Sequence, residues 1–392
     1  MDQRAVKTGL AGLIVLLLAT PVASQDTDFW STTRRGTNSF NTVETRQHLA
    51  EARDFGAGFV RLTFAKWKGV GRDFLAGDLD HYDGLQPADV AALRQVLDDA
   101  AAERVPIVLT PLDLPGDRWK QNNNDQVDDR LWQDKAWWDA AARYWADIAR
   151  EFKGHPAIVA YNILNEPVPE RGQGLDETGA TLAERDAWCA RMRGTARDLD
   201  GFYRHVVAAI RAVDPDTPIM LDGGWYAQPM GMQCVTPLDD PHILYAMHMY
   251  EPYGWSTFRL NRGALTYPGM LEYADRPEMW DAARVAAHQQ PLIDWADRNG
   301  VPRDRLILSE FGCDRRVSGC AAYLADVIAA AETSRIHWAY YSFREDEWDG
   351  MDYELGDGPT PPGFYDEARR GDLPRAPNAM SEVLRRALKG PR

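Results

Sequence analysis

The sequence is short of positive charge. Its 392 residues carry 44 lysines and arginines against 59 aspartates and glutamates, a formal net charge of −15. Nucleic acids and anionic membrane surfaces attract basic faces, so neither is expected as a partner. Cysteine is scarce too: Cys189, Cys234, Cys313 and Cys320 are the four, and none stands in C-x-x-C spacing, which argues against zinc. Cys313 and Cys320 are near enough in the chain to pair, leaving Cys189 with Cys234. That is one of three connectivities, and free buried thiols are the alternative. No linker rich in proline, glycine or serine divides the chain, and no internal repeat is evident.

Long apolar runs are absent apart from one at the start. "MDQRAVKTGLAGLIVLLLATPVASQD" has a basic beginning at Arg4 and Lys7, a short apolar stretch over 10–19, and small residues at Val22, Ala23 and Ser24. This is the pattern of a signal peptide, with cleavage expected after about Ser24. The run is too short to favour a spanning helix, and an uncleaved anchor is the alternative. Residues 1–24 are therefore read as a signal peptide and 25–392 as the folded unit, secreted or periplasmic, with no membrane contact beyond the signal segment. Export makes disulfides feasible.

What the chain does have is alternation. A weak first strand at 34–40 and apolar runs at 59–64, 106–112, 157–167, 219–225, 242–250, 305–312 and 336–343 are separated by amphipathic segments such as "PADVAALRQVLDDAAAERV", whose Val90, Leu93, Val96 and Leu97 form one stripe. Pro291 is expected to kink the segment at 285–300. The strands are apolar nearly throughout, as when both faces are covered. Eight strand signals in βα alternation predict a single (β/α)8 TIM barrel. An open doubly wound sheet would favour a glycine-rich phosphate loop after the first strand, and "RGTNSFN" is not one. Long insertions at roughly 113–134, 167–197, 251–284 and 344–376 follow strands three, four, six and eight, all on the C-terminal face where barrel sites are built.

Side chains at those strand ends converge on one mouth. They include Arg61 on strand two, Asn165 and Glu166 on four, His248 and Tyr250 on six, and Glu310 on seven, with Trp225 after strand five and Tyr341 ending strand eight. Glu166 and Glu310 lie on strands that face each other across a barrel. A pair of carboxylates, one protonated and one ionised, is the apparatus of glycoside hydrolysis. The 14 tryptophans exceed what a core of this size needs. Trp225 is a candidate sugar platform, whereas Trp119, Trp137, Trp138 and Trp145 read as packing. Pro167 stops strand pairing and biases Glu166 away from helical geometry.

The chain resembles glycoside hydrolase family 5, the cellulase-like barrel glycosidases with glutamates on strands four and seven. "ILNEP" is similar to the family's acid/base motif and "LSEFG" to its nucleophile motif. "HMY" and "VRLTF" match the strand-six pair and the strand-two arginine. The resemblance implies Glu166 as acid/base, Asn165 on the sugar 2-hydroxyl and Glu310 as nucleophile. It implies Arg61 bonding to Glu310, lowering its pKa, with His248 and Tyr250 in support. The family's histidine at the end of strand three is absent from "VLTPLDLPGDRW", leaving that contact missing or taken by Asp113. Its strand-eight tryptophan is displaced, with Tyr341 at the aligned place and Trp338 and Trp348 as other candidates. The implied activity is retaining hydrolysis of a β-linked oligo- or polysaccharide, foremost as an endo-β-glucanase. The alternatives are a β-mannanase or exo-β-glucosidase with the same chemistry, or a non-catalytic carbohydrate-binding barrel. No metal or cofactor is expected, and oligomeric state is open.

Overall fold

The structure, a computed structural model, describes residues 28–175, 177–345, 350–359 and 375–390. The signal-peptide segment 1–24 and Trp348 lie outside the described residues. Eight parallel strands close into a barrel in the order β1-β10-β9-β6-β5-β4-β3-β2. They are β1 (Arg35–Ser39), β2 (Val60–Thr63), β3 (Ile107–Thr110), β4 (Ile158–Asn162), β5 (Ile219–Asp222), β6 (Ile243–Met249), β9 (Leu306–Phe311) and β10 (His337–Tyr340). The other two, β7 (Gly269–Tyr273) and β8 (Arg276–Trp280), form an antiparallel hairpin inside the insertion after β6. The expected (β/α)8 barrel is thus present.

Helices form where the periodicity places them, each with its local signals. Thr45 caps Arg46–Phe55 by accepting from the His48 N–H, and Gly56 ends it at φ 122°. Pro87 opens Pro87–Glu103 at the position where its missing N–H costs nothing. Ala282–Asn299 runs unbroken through Pro291. Two elements carried no clear signal: the hairpin and the helix Leu182–Met192, which starts on a capping box of Thr181 and Glu184.

The barrel interior has two layers. Alternation along β2 turns Phe59 and Arg61 inward and Val60 and Leu62 outward toward the helices. Below, Phe59 clusters with Val108, Ala160, Met220, Leu244, Ala246, Ile307 and Ala339, together with Phe29 and Trp30. Trp30 closes the bottom: its indole N–H donates to the Val159 carbonyl at 2.9 Å, and its ring meets the edges of Phe59 and His337. Gly36 is needed here, because a Cβ would stand 2.6 Å from the Phe59 ring. The upper layer is polar and forms the site.

The four cysteines make two disulfides, Cys189–Cys234 and Cys313–Cys320. The first ties the helix Leu182–Met192 to the turn after β5, where Gly231–Cys234 sits.

Trp30 removes a large apolar surface from water at the open end of the barrel. Trp30→Ala should destabilise the protein by about 3–5 kcal/mol, read as a lower urea midpoint with an unchanged circular dichroism spectrum before unfolding. A midpoint equal to that of the parent would refute the stopper role.

Candidate active site

Arg61 is the hub of the upper layer. It is fully buried, so every donor must find an acceptor inside the barrel. Nη1 reaches Glu310 Oε1 at 2.5 Å and Asn38 Oδ1 at 3.0 Å. Nε and Nη2 grip Asn162 Oδ1 at 2.9 and 2.6 Å, and Nη2 also reaches Asn165 Oδ1 at 2.6 Å. One side chain of β2 therefore joins β1, β4, the chain after β4, and β9.

A register shift aims the nucleophile candidate. Along the β6–β9 pair, Met247 faces Leu308 but His248 faces Glu310, so Ser309 is the extra residue. Bulges re-aim side chains in this way, and here His248 and Glu310 come to face the same mouth. Glu166 arrives by another irregularity. β4 ends at Asn162, not at Glu166, and the chain passes over the rim with Glu166 at φ 50°. Proline's bias of the preceding residue toward extended geometry is overridden: the Glu166 N–H is held by Asp222 Oδ2 at 3.1 Å. That left-handed residue lets both Asn165 and Glu166 reach the cleft.

The two glutamates meet. Single oxygens of Glu166 and Glu310 and a ring nitrogen of His248 all lie within 4.8 Å of one another. Their surroundings differ. Glu310 accepts from Arg61 and, at 2.7 Å, from the Tyr250 hydroxyl. Burial pushes its pKa up, while the Arg61 charge and these two hydrogen bonds pull it back. Arg61 therefore acts in the expected direction, but burial outweighs it. Among the described residues no lysine or arginine bonds the Glu166 carboxylate. Burial, then the charges of Glu310 and Asp222, hold its pKa well above the usual carboxylate range. Its partner is His248 Nδ1 at 2.8 Å. Burial, with Arg61 nearby, keeps the His248 pKa well below that of a free imidazole, so the ring is neutral. The same three groups have the spacing of a cation site, but the Arg61 guanidinium already supplies the positive charge at Glu310.

These side chains open into a cleft of about 870 Å³. Asn165, Glu166, His248, Tyr250, Glu310 and Tyr341 all line it, as the sequence reading placed them. Trp225 does not. It is fully buried, edge-on to Trp188 at 5.4 Å with Arg185 over its ring at 4.4 Å, so the platform role is withdrawn. The turn after β5 holds Trp225, Tyr226 and Ala227 at φ 53°, 56° and 57°. That winding sends Trp225 inward and puts Tyr226 on the cleft wall. Asp113 does not replace the missing histidine either: its carboxylate accepts from the Trp119 N–H and Asn122 Nδ2, inside its own loop. The cleft residues from that loop include Asp117 and Trp119, and Trp119, packed against the core as expected, also faces the cleft. Trp338 is fully buried, bonded to Glu332.

Asn38, Asn162, Asp222 and Glu251 were missed by the sequence reading. Asp222 is fully buried and accepts from Asn162 Nδ2 as well as the Glu166 N–H. An acid two residues after the interior Met220, at the end of an apolar strand, was the available signal.

A carboxyl whose folded pKa is raised favours folding at low pH and loses that contribution as pH rises toward the folded value. Glu166→Gln removes this liability. The variant should match the parent in stability near pH 4 and exceed it at pH 8, by about 1.4 kcal/mol for each unit of elevation titrated. Denaturant melts at the two pH values check this, and a parent more stable than the variant at pH 8 would contradict the assignment.

Comparison with known proteins agrees with this geometry. A family model described as cellulase (glycosyl hydrolase family 5) matches residues 22–347. A β-xylosidase of Phanerodontia chrysosporium is 25% identical over 72% of this chain and 54% of its own length. Endoglucanase H of Acetivibrio thermocellus is 22% identical over 52% of this chain and 17% of its own. The chain thus spans about half of the first relative and a smaller part of the second. Among solved structures, the endoglucanase Cel5A of Thermotoga maritima superposes with TM-score 0.60 at 14% identity, covering 92% of this chain and 99% of that one. Cel5A of Pseudomonas stutzeri gives 0.59 at 18%, over 91% and 93%. At such identities these structures speak for the fold, and the family match speaks for descent: the chain belongs to glycosyl hydrolase family 5, the cellulase family.

Proposed function

We propose that the protein hydrolyses β-linked oligo- or polysaccharides with retention of configuration, acting within chains of β-glucan. The carrying observation is the approach of Glu166 and Glu310, with oxygens within 4.8 Å and unequal partners. Retaining sites hold their carboxyl groups about 5–5.5 Å apart, inverting ones roughly 6.5–9.5 Å.

Glu310, ionised against Arg61 and Tyr250, attacks the anomeric carbon. Glu166, protonated, donates to the departing oxygen. Asn165 has its oxygen taken by Arg61, which leaves its amide NH2 to a sugar hydroxyl. Once Glu310 is esterified its charge is gone. A principal cause of the raised Glu166 pKa is that charge, so Glu166 becomes a stronger acid, stays ionised, and serves as base toward water. Neutral His248 orients Glu166 without competing for the role of cation. The open cleft, with Trp119, Tyr226 and Tyr341 on its walls, supports binding of a chain over its middle. A location outside the cytoplasm is supported by the N-terminal pattern and by two disulfides, which persist in oxidising compartments.

Glu166→Gln and Glu310→Gln should each lower hydrolysis of a β-linked oligosaccharide by about 100-fold to 10,000-fold; losses under tenfold in both would end this reading. A panel of cello-, manno-, xylo- and mixed-linkage oligosaccharides identifies the sugar, and proton NMR of the first product reports the anomer. Tyr250→Phe removes a charge-assisted hydrogen bond worth about 1.5–3 kcal/mol. The Glu310 pKa then rises, and the acid limb of kcat/KM moves to higher pH by roughly one to two units. An unmoved limb would separate Tyr250 from the nucleophile.

A further inference from the structure

Asp222 ends β5 with its carboxylate fully buried and absent from the cleft wall, so it meets no substrate. Oδ1 accepts from Asn162 Nδ2 at 3.0 Å, and Oδ2 accepts from the Glu166 N–H at 3.1 Å. Arg61 Nη2 lies 3.8 Å from Oδ2. Burial raises the Asp222 pKa, but the Arg61 charge and these donors pull it down and suit the ionised form. The same Oδ2 stands 3.5 Å from His248 Nε2. That is long for a hydrogen bond, yet Nε2 is buried and has no hydrogen-bond partner among the described residues. Asp222 thus approaches the ring at Nε2. Two other acids approach it at Nδ1: Glu166 Oε1 at 2.8 Å and Glu310 Oε2 at 3.7 Å.

A neutral imidazole has one N–H and one lone pair to distribute between these sides. With the proton on Nε2, an N–H meets the Asp222 carboxylate, and the Nδ1 lone pair accepts from the Glu166 carboxyl O–H. With the proton on Nδ1, a lone pair confronts a carboxylate at 3.5 Å, where no water screens the two. The Glu310 charge favours this second arrangement. It is, however, already met by the Arg61 guanidinium and the Tyr250 hydroxyl. Asp222 has two amides and a more distant guanidinium, and so has more to gain from the ring proton.

We infer that Asp222 is a positioning residue for the acid: it holds the ring proton of His248 on Nε2, so that Nδ1 can only accept and Glu166 keeps its own proton until a leaving oxygen takes it. This rests on the reading of Glu166 under Proposed function and deepens it. The charge of Asp222 works in the same direction. It raises the Glu166 pKa after burial and Glu310 do, with Glu251 adding to it and Arg61 opposing. Tyr226 and Tyr250, the hydroxyls on this side of the cleft, have raised pKa values and stay neutral. Once Glu310 is esterified, a ring that only accepts gives the Glu166 carboxylate no hydrogen bond. That makes Glu166 a stronger base toward water.

The test reads the ring proton directly. Full-length protein with its eight histidines labelled with heavy nitrogen is examined by NMR, and His248→Gln identifies the His248 signals by their loss. The expected result is a proton on Nε2 and a lone pair on Nδ1 through the neutral pH range. A proton on Nδ1, or one shared evenly between the two nitrogens, would overturn the proposal. In Asp222→Asn, the basic limb of kcat/KM, which reports Glu166, should fall by about one unit. The turnover number should drop roughly tenfold to 100-fold while KM holds within about threefold. An unmoved limb would overturn the role. Tyr203→Phe is the structural control, because the Tyr203 hydroxyl donates to the Asp222 backbone carbonyl at 2.7 Å and its loss leaves the carboxylate alone. It should lower the melting temperature and leave the ring proton and the limb in place; an equal shift of the limb would overturn the role as well. If Asp222→Asn does not fold, the spectrum of the unsubstituted protein decides. A proton on Nδ1 in an enzyme that hydrolyses saccharides would remove only the role of Asp222, whereas absence of hydrolysis on every saccharide tried would overturn the functional reading and this role with it.

Discussion

Burying the Arg61 guanidinium constrains everything around it. A cation with no access to water costs several kcal/mol unless its charge and its donors are met inside. The barrel meets them with Asn38, Asn162, Asn165 and Glu310, drawn from β1, β4, the chain beyond β4, and β9. Because the guanidinium is a rigid planar fork, satisfying it also fixes the angle of each partner. The nucleophile candidate and the amide beside the acid candidate are thus set by one side chain. Placing that guanidinium directly on Glu310 gives Glu166 only its weaker, more distant pull, and with burial this sets the two carboxyls apart.

The same economy explains the layering. Below Arg61 the barrel is apolar, closed by Trp30 and crowded enough to require Gly36. That floor excludes water, so the charges above act on one another strongly. His248 stays neutral for that reason, and Asp222, buried against two amide donors, the neutral His248 ring at 3.5 Å and a guanidinium at 3.8 Å, is pushed up as well. Asp222 in turn holds the Glu166 backbone in a left-handed conformation, a strain of about 1–3 kcal/mol that a closed barrel can sustain. Strain recurs at Trp225–Ala227, again next to the cleft.

Much of the fold was legible in the chain. Strand and helix periods are local, and eight strand signals alternating with helical segments leave few topologies. "ILNEP" and "LSEFG" were legible too, since each is a short run at the end of an apolar strand. The hairpin Gly269–Trp280 was not, because "GMLEYADRPEMW" has polar residues on both faces and its turn, Ala274-Asp275, lacks the usual glycine. Trp225 and Asp113 were misplaced for a different reason. Each stands near the right rim, but the direction of its side chain depends on backbone angles imposed by distant neighbours.

The sequence by itself determined the order of elements, the two glutamates and the strands that carry them, since those properties reside in short segments. Only the tertiary structure decided which side chains face the mouth. Tyr226 replaces Trp225, Asp117 lies on the wall where Asp113 does not, and Asn38, Asn162 and Asp222 meet Arg61. Facing is a matter of register and dihedral angle, and both are settled when segments remote in the chain pack against each other.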